Sequence, residues 1–210
     1  MGTTTRPNSA ADSQAAEEKG RQLLSIVAKE DCDTTLCLRL IEEGAALEGR
    51  DTFDLTPLMW SVIRGHTAIA RALLSHGADA HKRSVQNHNN TLLLLAAKHS
   101  LPDIVSDLLS RNIPVNAQDK DGWTALMWAA GHGDENLAMT LINHGADTSI
   151  KNDVGDRAHK VAANNGHTQL AKKIHAHYTA HVFRAAAEKG TPRPRKIRRH
   201  SPVAGSKNVP

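Results

Sequence analysis

A five-residue phrase that returns constrains this chain more than any other feature: TPLMW at Thr56–Trp60 comes back as TALMW at Thr124–Trp128. Between them Thr91 begins TLLLLAA, and beyond them Arg157 begins RAHKVAA, so the four anchors are spaced by 35, 33 and 33 residues. Turns follow the threonine anchors after 21 residues, at Gly77, Asn112 and Gly145, and the same count back from Gly44 lands on Leu23 in LLSIVAKED. A period of this size builds a row of similar units, each burying its apolar face only against its neighbours.

Within a unit the pattern is two short helices. Leu126, Ala129 and Ala130 recur at helical spacing, and Gly133 lets the backbone turn out. Leu137, Leu141 and Ile142 then share a second helical face that ends at Gly145. Helices of about ten residues are marginal alone in water, so stacking must hold them. Composition agrees: 210 residues with 3% aromatics must draw their core from Leu, Ile, Val and Ala, which favours helices over packed strands. Polar segments such as ADTSIKNDVGDR and IPVNAQDKDGW join the units, with glycine near the tip as a reversing hairpin needs.

The 33-residue period, TPL or TAL, the following AA, Gly65-His66 and Gly166-His167, and HGAD at 76–79 and 144–147 together resemble the ankyrin repeat over residues 20–180. The resemblance implies an all-α solenoid of stacked helix-turn-helix units with projecting β-hairpin loops, acting as a non-catalytic scaffold or adaptor that binds a protein partner on its concave face. Units are expected near 20–50, 51–83, 84–118, 119–151 and 152–180. The first, charged at Lys29, Glu30, Asp31 and Asp33, reads as a polar cap. In the last, Leu170, Ile174, Tyr178, Val182 and Ala186 follow at four-residue steps, extending a capping helix to Gly190. Residues 1–19 and 191–210 are expected to be disordered, and the whole to be a monomer.

Three departures from the family pattern matter. The histidine of the family's TPLH is replaced by Met59, Leu94 and Met127, which implies apolar packing where that side chain would hydrogen-bond. The third unit has Ser100-Leu101 in place of Gly-His, with Pro102 acceptable in a first helical turn. The spacing of 35 arises after Gly77, where ADAHKRSVQNHNN is two residues longer than its counterparts and is expected to enlarge a hairpin tip.

No arrangement of residues points to catalysis or a cofactor. The phosphate-cradling, dinucleotide and nucleophile-elbow motifs are absent. His177 and His181 lie one helical turn apart beside His175, but zinc or nickel would need a third ligand, so they read as solvated surface. His66, His76, His132, His144 and His167 fall at turns and read as structural hydrogen-bonding groups. Cys32 and Cys37 are too few for a disulfide framework or a zinc site, and Cys37 reads as a small core residue. An intracellular, reducing location, cytoplasmic or nuclear, is the expectation. No apolar run is long enough to span a membrane, and Arg6 stands where a myristoylation motif needs Ser or Thr.

By the family's register, partner contacts fall on Thr52, Phe53 and Leu55 in one tip, on Arg64, and on Gln86, Asn87, His88 and Asn90 in the enlarged tip. Lys98 and His99 follow; the next unit gives Lys120, Asp121, Trp123 and His132, and the last Asp153, Val154 and Asn165. Phe53 reads as a binding aromatic, whereas Trp123 either binds or folds back over its own repeat. Trp60 and Trp128 read as core groups stacked between units. The tail has a separate character: six basic residues and no acid lie in 191–210, enough to account for the net charge of +4. Arg193, Arg195, Lys196, Arg198 and Arg199 read as a plain solvated tail, as a nuclear-import signal, or as the nucleic-acid contact of a nuclear or chromatin-associated regulator. Ser201, before Pro202, is a candidate phosphorylation site whose added charge would weaken that segment's partners.

Overall fold

A computed structural model describes residues 10–85 and 88–188. The anchor threonines explain themselves as helix caps. Thr56, Thr91 and Thr124 are extended in backbone and precede α3 (Pro57–Ile63), α5 (Leu92–Lys98) and α7 (Ala125–His132). Each Oγ1 accepts from the third residue on, Met59 N at 3.3 Å, Leu94 N at 3.2 Å and Met127 N at 3.3 Å, capping a first-turn amide that has no carbonyl four residues back within the helix. The fourth anchor, Arg157, gives α9 (Ala158–Asn164) no side-chain cap.

Each of these short helices is followed by a second: α4 (Thr67–Ser75), α6 (Pro102–Leu109), α8 (Glu135–Asn143) and α10 (Thr168–Glu188). The first unit pairs α1 (Ala10–Val27) with α2 (Thr34–Glu42). First helices touch first helices along the row, α1 to α3 to α5 to α7 to α9, while α2, α4 and α6 form an outer row. The equivalent residues Leu58, Leu93 and Leu126 are all fully buried. Met59, Leu94 and Met127 are buried beside them, so apolar packing does replace the histidine.

Helix ends follow from the left-handed region. Gly44, Gly77 and Gly145 have φ of 81°, 90° and 87°, and Asn112 stands in at 58°. The fifth equivalent position holds Tyr178, a bulky residue that disfavours this conformation, so α10 runs on to Glu188 instead of turning. Replacing Tyr178 with glycine is expected to fray the helix beyond it. Helical ellipticity should fall by the equivalent of about ten residues and stability by roughly 1 kcal/mol. Unchanged ellipticity would mean that packing, not the missing glycine, sustains the extension.

The start of the chain requires a correction. Residues 10–19, expected to be disordered, belong to α1, because Gly20, Leu23 and Val27 form a buried stripe that anchors a longer helix. Ala16 in that helix accepts a backbone hydrogen bond from Ala46 N at 2.8 Å. Residues 1–9, the two tip residues Gln86 and Asn87, and the tail with Arg193, Arg195, Lys196, Arg198, Arg199 and Ser201 lie outside the described residues.

The longer connection is a hairpin. β1 (Arg83–Ser84) pairs antiparallel with β2 (Asn90–Thr91), Arg83 opposite Thr91 and Ser84 opposite Asn90, and these are the only strands among the described residues. The ordinary tips are tighter and rest on a side chain. Asp51 Oδ1 accepts from Phe53 N at 2.9 Å and Leu55 N at 3.0 Å, and Asp119 Oδ1 from Asp121 N at 3.0 Å and Trp123 N at 2.8 Å. Asn152 Oδ1 takes the same place, accepting from Asp156 N at 2.8 Å.

Candidate protein-binding surface

The tips join one another. Asp54 accepts from Val85 N at 2.8 Å, Ser84 donates to Phe53 O at 3.3 Å, Lys120 N donates to His88 O at 2.9 Å, and Asp153 N donates to Asp121 O at 3.2 Å. Arg50 reinforces the first junction by donating to Asp54 at 2.5 Å and to Arg83 O at 3.1 Å. The result is a hydrogen-bonded ridge. From it project Phe53, Val85 and Val154, at 62%, 75% and 79% exposure; the other exposed large apolar residue among those described is Phe183 on α10. These side chains place apolar groups along the crest, among the exposed polar residues Thr52, His88, Lys120, Asp121 and Asp153.

Beside the ridge run the ends of the first helices. The segments 57–64, 92–99, 125–132 and 158–165 contain no aspartate or glutamate, while supplying Arg64, Lys98, His99, His132 and Lys160. Arg64 is the most engaged: its Nε donates to Ala28 O at 2.9 Å, its Nη1 to Glu30 at 3.2 Å, and its guanidinium lies 5.2 Å from the Trp60 ring centre. It therefore ties the first two units together. Lys98 Nζ sits 5.1 Å from the Trp128 ring centre, a contact that tolerates full exposure of the ammonium. His99 remains accessible, but the part of its ring that packs down, and then the Lys98 and His132 charges, hold it below the usual histidine range.

The candidate contacts separate into two sets. Thr52, Phe53, His88, Lys98, His99, Lys120, Asp121, His132, Asp153, Val154 and Asn165 are exposed. Leu55 and Asn90 are not, at 3% and 2% exposure: Leu55 closes the core under its tip, and Asn90 is in β2. Both are corrected from partner contacts to scaffold. Trp123 folds back, its ring centre 4.6 Å from that of Trp128, leaving it half-buried. Trp60 and Trp128 are corrected in the other direction. Each is half-buried at the edge of the core, because an indole keeps its N–H near a polar partner where it can. Trp60 Nε1 finds one in Asp51 at 2.7 Å; Trp128 Nε1 is buried with none among the described residues. Sequence reading missed Asp51, Asp119 and Asn152, whose shared place five residues before each anchor was a usable signal.

The turn histidines act between and within units. His66 Nε2 lies 3.1 Å from Lys29 O and His167 Nε2 3.1 Å from Gly131 O, each across a unit boundary. His76 and His144 bond to carbonyls of their own helices, and His132 to Ser100 at 3.1 Å. Among the described residues no three metal-ligating side chains converge, and no helix is long and apolar enough to cross a membrane.

Comparison with known proteins agrees with this architecture. A family model described as Ankyrin repeats (3 copies) matches residues 23–119 and 93–184. Among curated relatives, a platypus (Ornithorhynchus anatinus) protein named Ankyrin repeat, SAM and basic leucine zipper domain-containing protein 1 is 31% identical over 149 residues, 69% of this chain and 30% of its own length. The Caenorhabditis elegans Ankyrin repeat and KH domain-containing protein mask-1 is 29% identical over 133 residues, 63% of this chain and 5% of its own. Human Mitochondrial disaggregase is 32% identical over 128 residues, 61% of this chain and 17% of its own. The chain thus spans less than a third of the length of these relatives. With capped helix pairs, left-handed turns and joined tips repeating in phase through the matched span, the chain belongs to the ankyrin-repeat family, whose fold generally mediates protein–protein interaction.

Proposed function

We propose that this chain captures a protein segment along the tip ridge and the adjoining ends of its first helices. The observation that carries the reading is the placement of exposed apolar side chains: Phe53, Val85 and Val154 all stand on tips, next to α3, α5, α7 and α9, which carry no acids. Apolar groups at a crest gain from desolvation on contact, and Lys98 supplies charge beside them. The tip carboxylates of Asp51 and Asp119 are committed to their own backbones, so they shape the ridge rather than recognise a partner.

Affinity purification from native cells tests this with the full chain, a Phe53→Ala/Lys98→Glu variant, and a chain ending at Gly190. Both substituted side chains are exposed, so folding should be unaffected by circular dichroism. The double variant is expected to lose its partners by at least about tenfold in affinity, roughly 1.4 kcal/mol, while the shortened chain keeps them. The reverse outcome, with binding that falls steeply as salt rises, would assign recognition to the basic tail.

A further inference from the structure

Asp33 caps α2, accepting from Leu36 N at 3.0 Å. Cys32 therefore stands just before the cap and Cys37 at the fourth helical position, the two places whose side chains pack together as a hydrophobic staple. Here both members of the staple are thiols. Cys37 is fully buried, and Cys32 is half-buried and packed against the core cluster that contains Cys37. Cys37 N donates to Asp33 O at 3.0 Å, which fixes the turn between them.

We propose that Cys32 and Cys37 are a modification site, closing to a reversible disulfide when the chain meets a hydroperoxide. The order of events follows from burial. Desolvation first, then the neighbouring Cys32 and Asp33, push the Cys37 thiol up to about 12, so it stays protonated and shielded while Cys32 reacts. The Cys32 sulfur takes a hydroxyl oxygen as the peroxide O–O bond breaks, giving a sulfenic acid and releasing an alcohol, or water from hydrogen peroxide. Cys37 sulfur then attacks Cys32 sulfur; the S–S bond forms, the S–O bond breaks, and water leaves with the Cys37 proton. Two electrons pass from the thiol pair to the peroxide. Their placement on either side of the Asp33 cap, against one core cluster, offsets the small thiolate fraction of Cys37, since the attack is intramolecular. Two equivalents of a monothiol such as glutathione restore both thiols and leave as their own disulfide.

The bond would pin one end of a segment that already holds the inner edge. Ala28 O and Glu30 accept from Arg64, and Lys29 O bonds His66, all within the stretch leading to Cys32.

Trypsin releases both cysteines in one peptide, Glu30–Arg39, which makes the test direct. The full chain is treated with hydrogen peroxide, denatured, alkylated with iodoacetamide and analysed by mass. The peptide is expected to lose two hydrogens and take up no alkyl group, and to take up two after glutathione. Cys37→Ser should stop at a Cys32 sulfenic acid captured by dimedone, and Cys32→Ser should resist peroxide while folded. Because either variant can perturb the core, the reduced wild-type chain gives an independent reading: native alkylation should mark Cys32 alone. Accumulation of sulfinic acid, a disulfide between two chains, or a peptide that stays fully alkylatable after peroxide would overturn the proposal.

Discussion

Gly133→Ala is expected to destabilise the chain by about 2–3 kcal/mol, and Gly65→Ala at the equivalent place by only about 1 kcal/mol. Both glycines are left-handed, with φ of 74° and 73°, so both variants bear the same conformational strain. The strain alone is tolerable here: Ser100 occupies the corresponding position of the third unit at φ 54°. What differs is the neighbour. A Cβ on Gly65 would meet nothing within 4 Å, whereas one on Gly133 would lie 2.4 Å from His167 Nδ1 and 2.8 Å from its Cγ. The ring cannot swing aside without giving up its contact with Gly131 O, the bond that ties the fifth unit to the fourth. Loss of such a bond adds about 1 kcal/mol to the strain. Urea unfolding of the two variants side by side measures the difference, and equal losses would mean that the His167 ring relaxes freely.

The same residues show what could be read from sequence. The period, the turn positions and the buried leucines were legible because each recurs, and recurrence in phase marks a structural requirement. Where a unit departs from its siblings, reading became less secure. The stretch AADSQAAEEKG has little apolar content, yet it is helical because three residues, Gly20, Leu23 and Val27, bury a narrow stripe. Gly20 belongs to that stripe through its missing side chain: a Cβ there would lie 2.4 Å from Ala46 O. No hydrophobic pattern announces a contact made by a hydrogen atom. Leu55 and Trp123 share a register position just before their anchors, but one fills the core and the other spreads over Trp128. Position in the repeat fixed where each begins, and side-chain size decided where it ends. The exposure of Val85 depends on the hairpin that the two extra residues create, which length alone could not describe.

The one unit whose core breaks the pattern supplies the second large effect. His159 stands where Leu58, Leu93 and Leu126 stand in the preceding units, and its Nδ1 is buried with no hydrogen-bond partner among the described residues. Its ring packs against His175 at 4.8 Å and Tyr178 at 5.8 Å between centroids, while Arg157 lies 4.9 Å from the Tyr178 ring. Burial first, then the His175 and Arg157 charges, hold His159 below the ordinary histidine range. His159→Leu is therefore expected to stabilise the chain by about 1–2 kcal/mol near neutral pH, by removing an unsatisfied polar atom and restoring the leucine of the other units. The pH dependence has a defined sign. Because the folded value lies below the unfolded one, the unfolded chain takes up a proton first, so this site's contribution is complete above the ordinary range and declines as pH falls through it towards the folded value. Wild-type stability should therefore fall relative to the variant between about pH 7.5 and pH 5.5. His99 shifts in the same direction but is present in both chains, so its contribution cancels in their difference. Urea midpoints that stay parallel across this range would show that His159 titrates alike in the folded and unfolded chains.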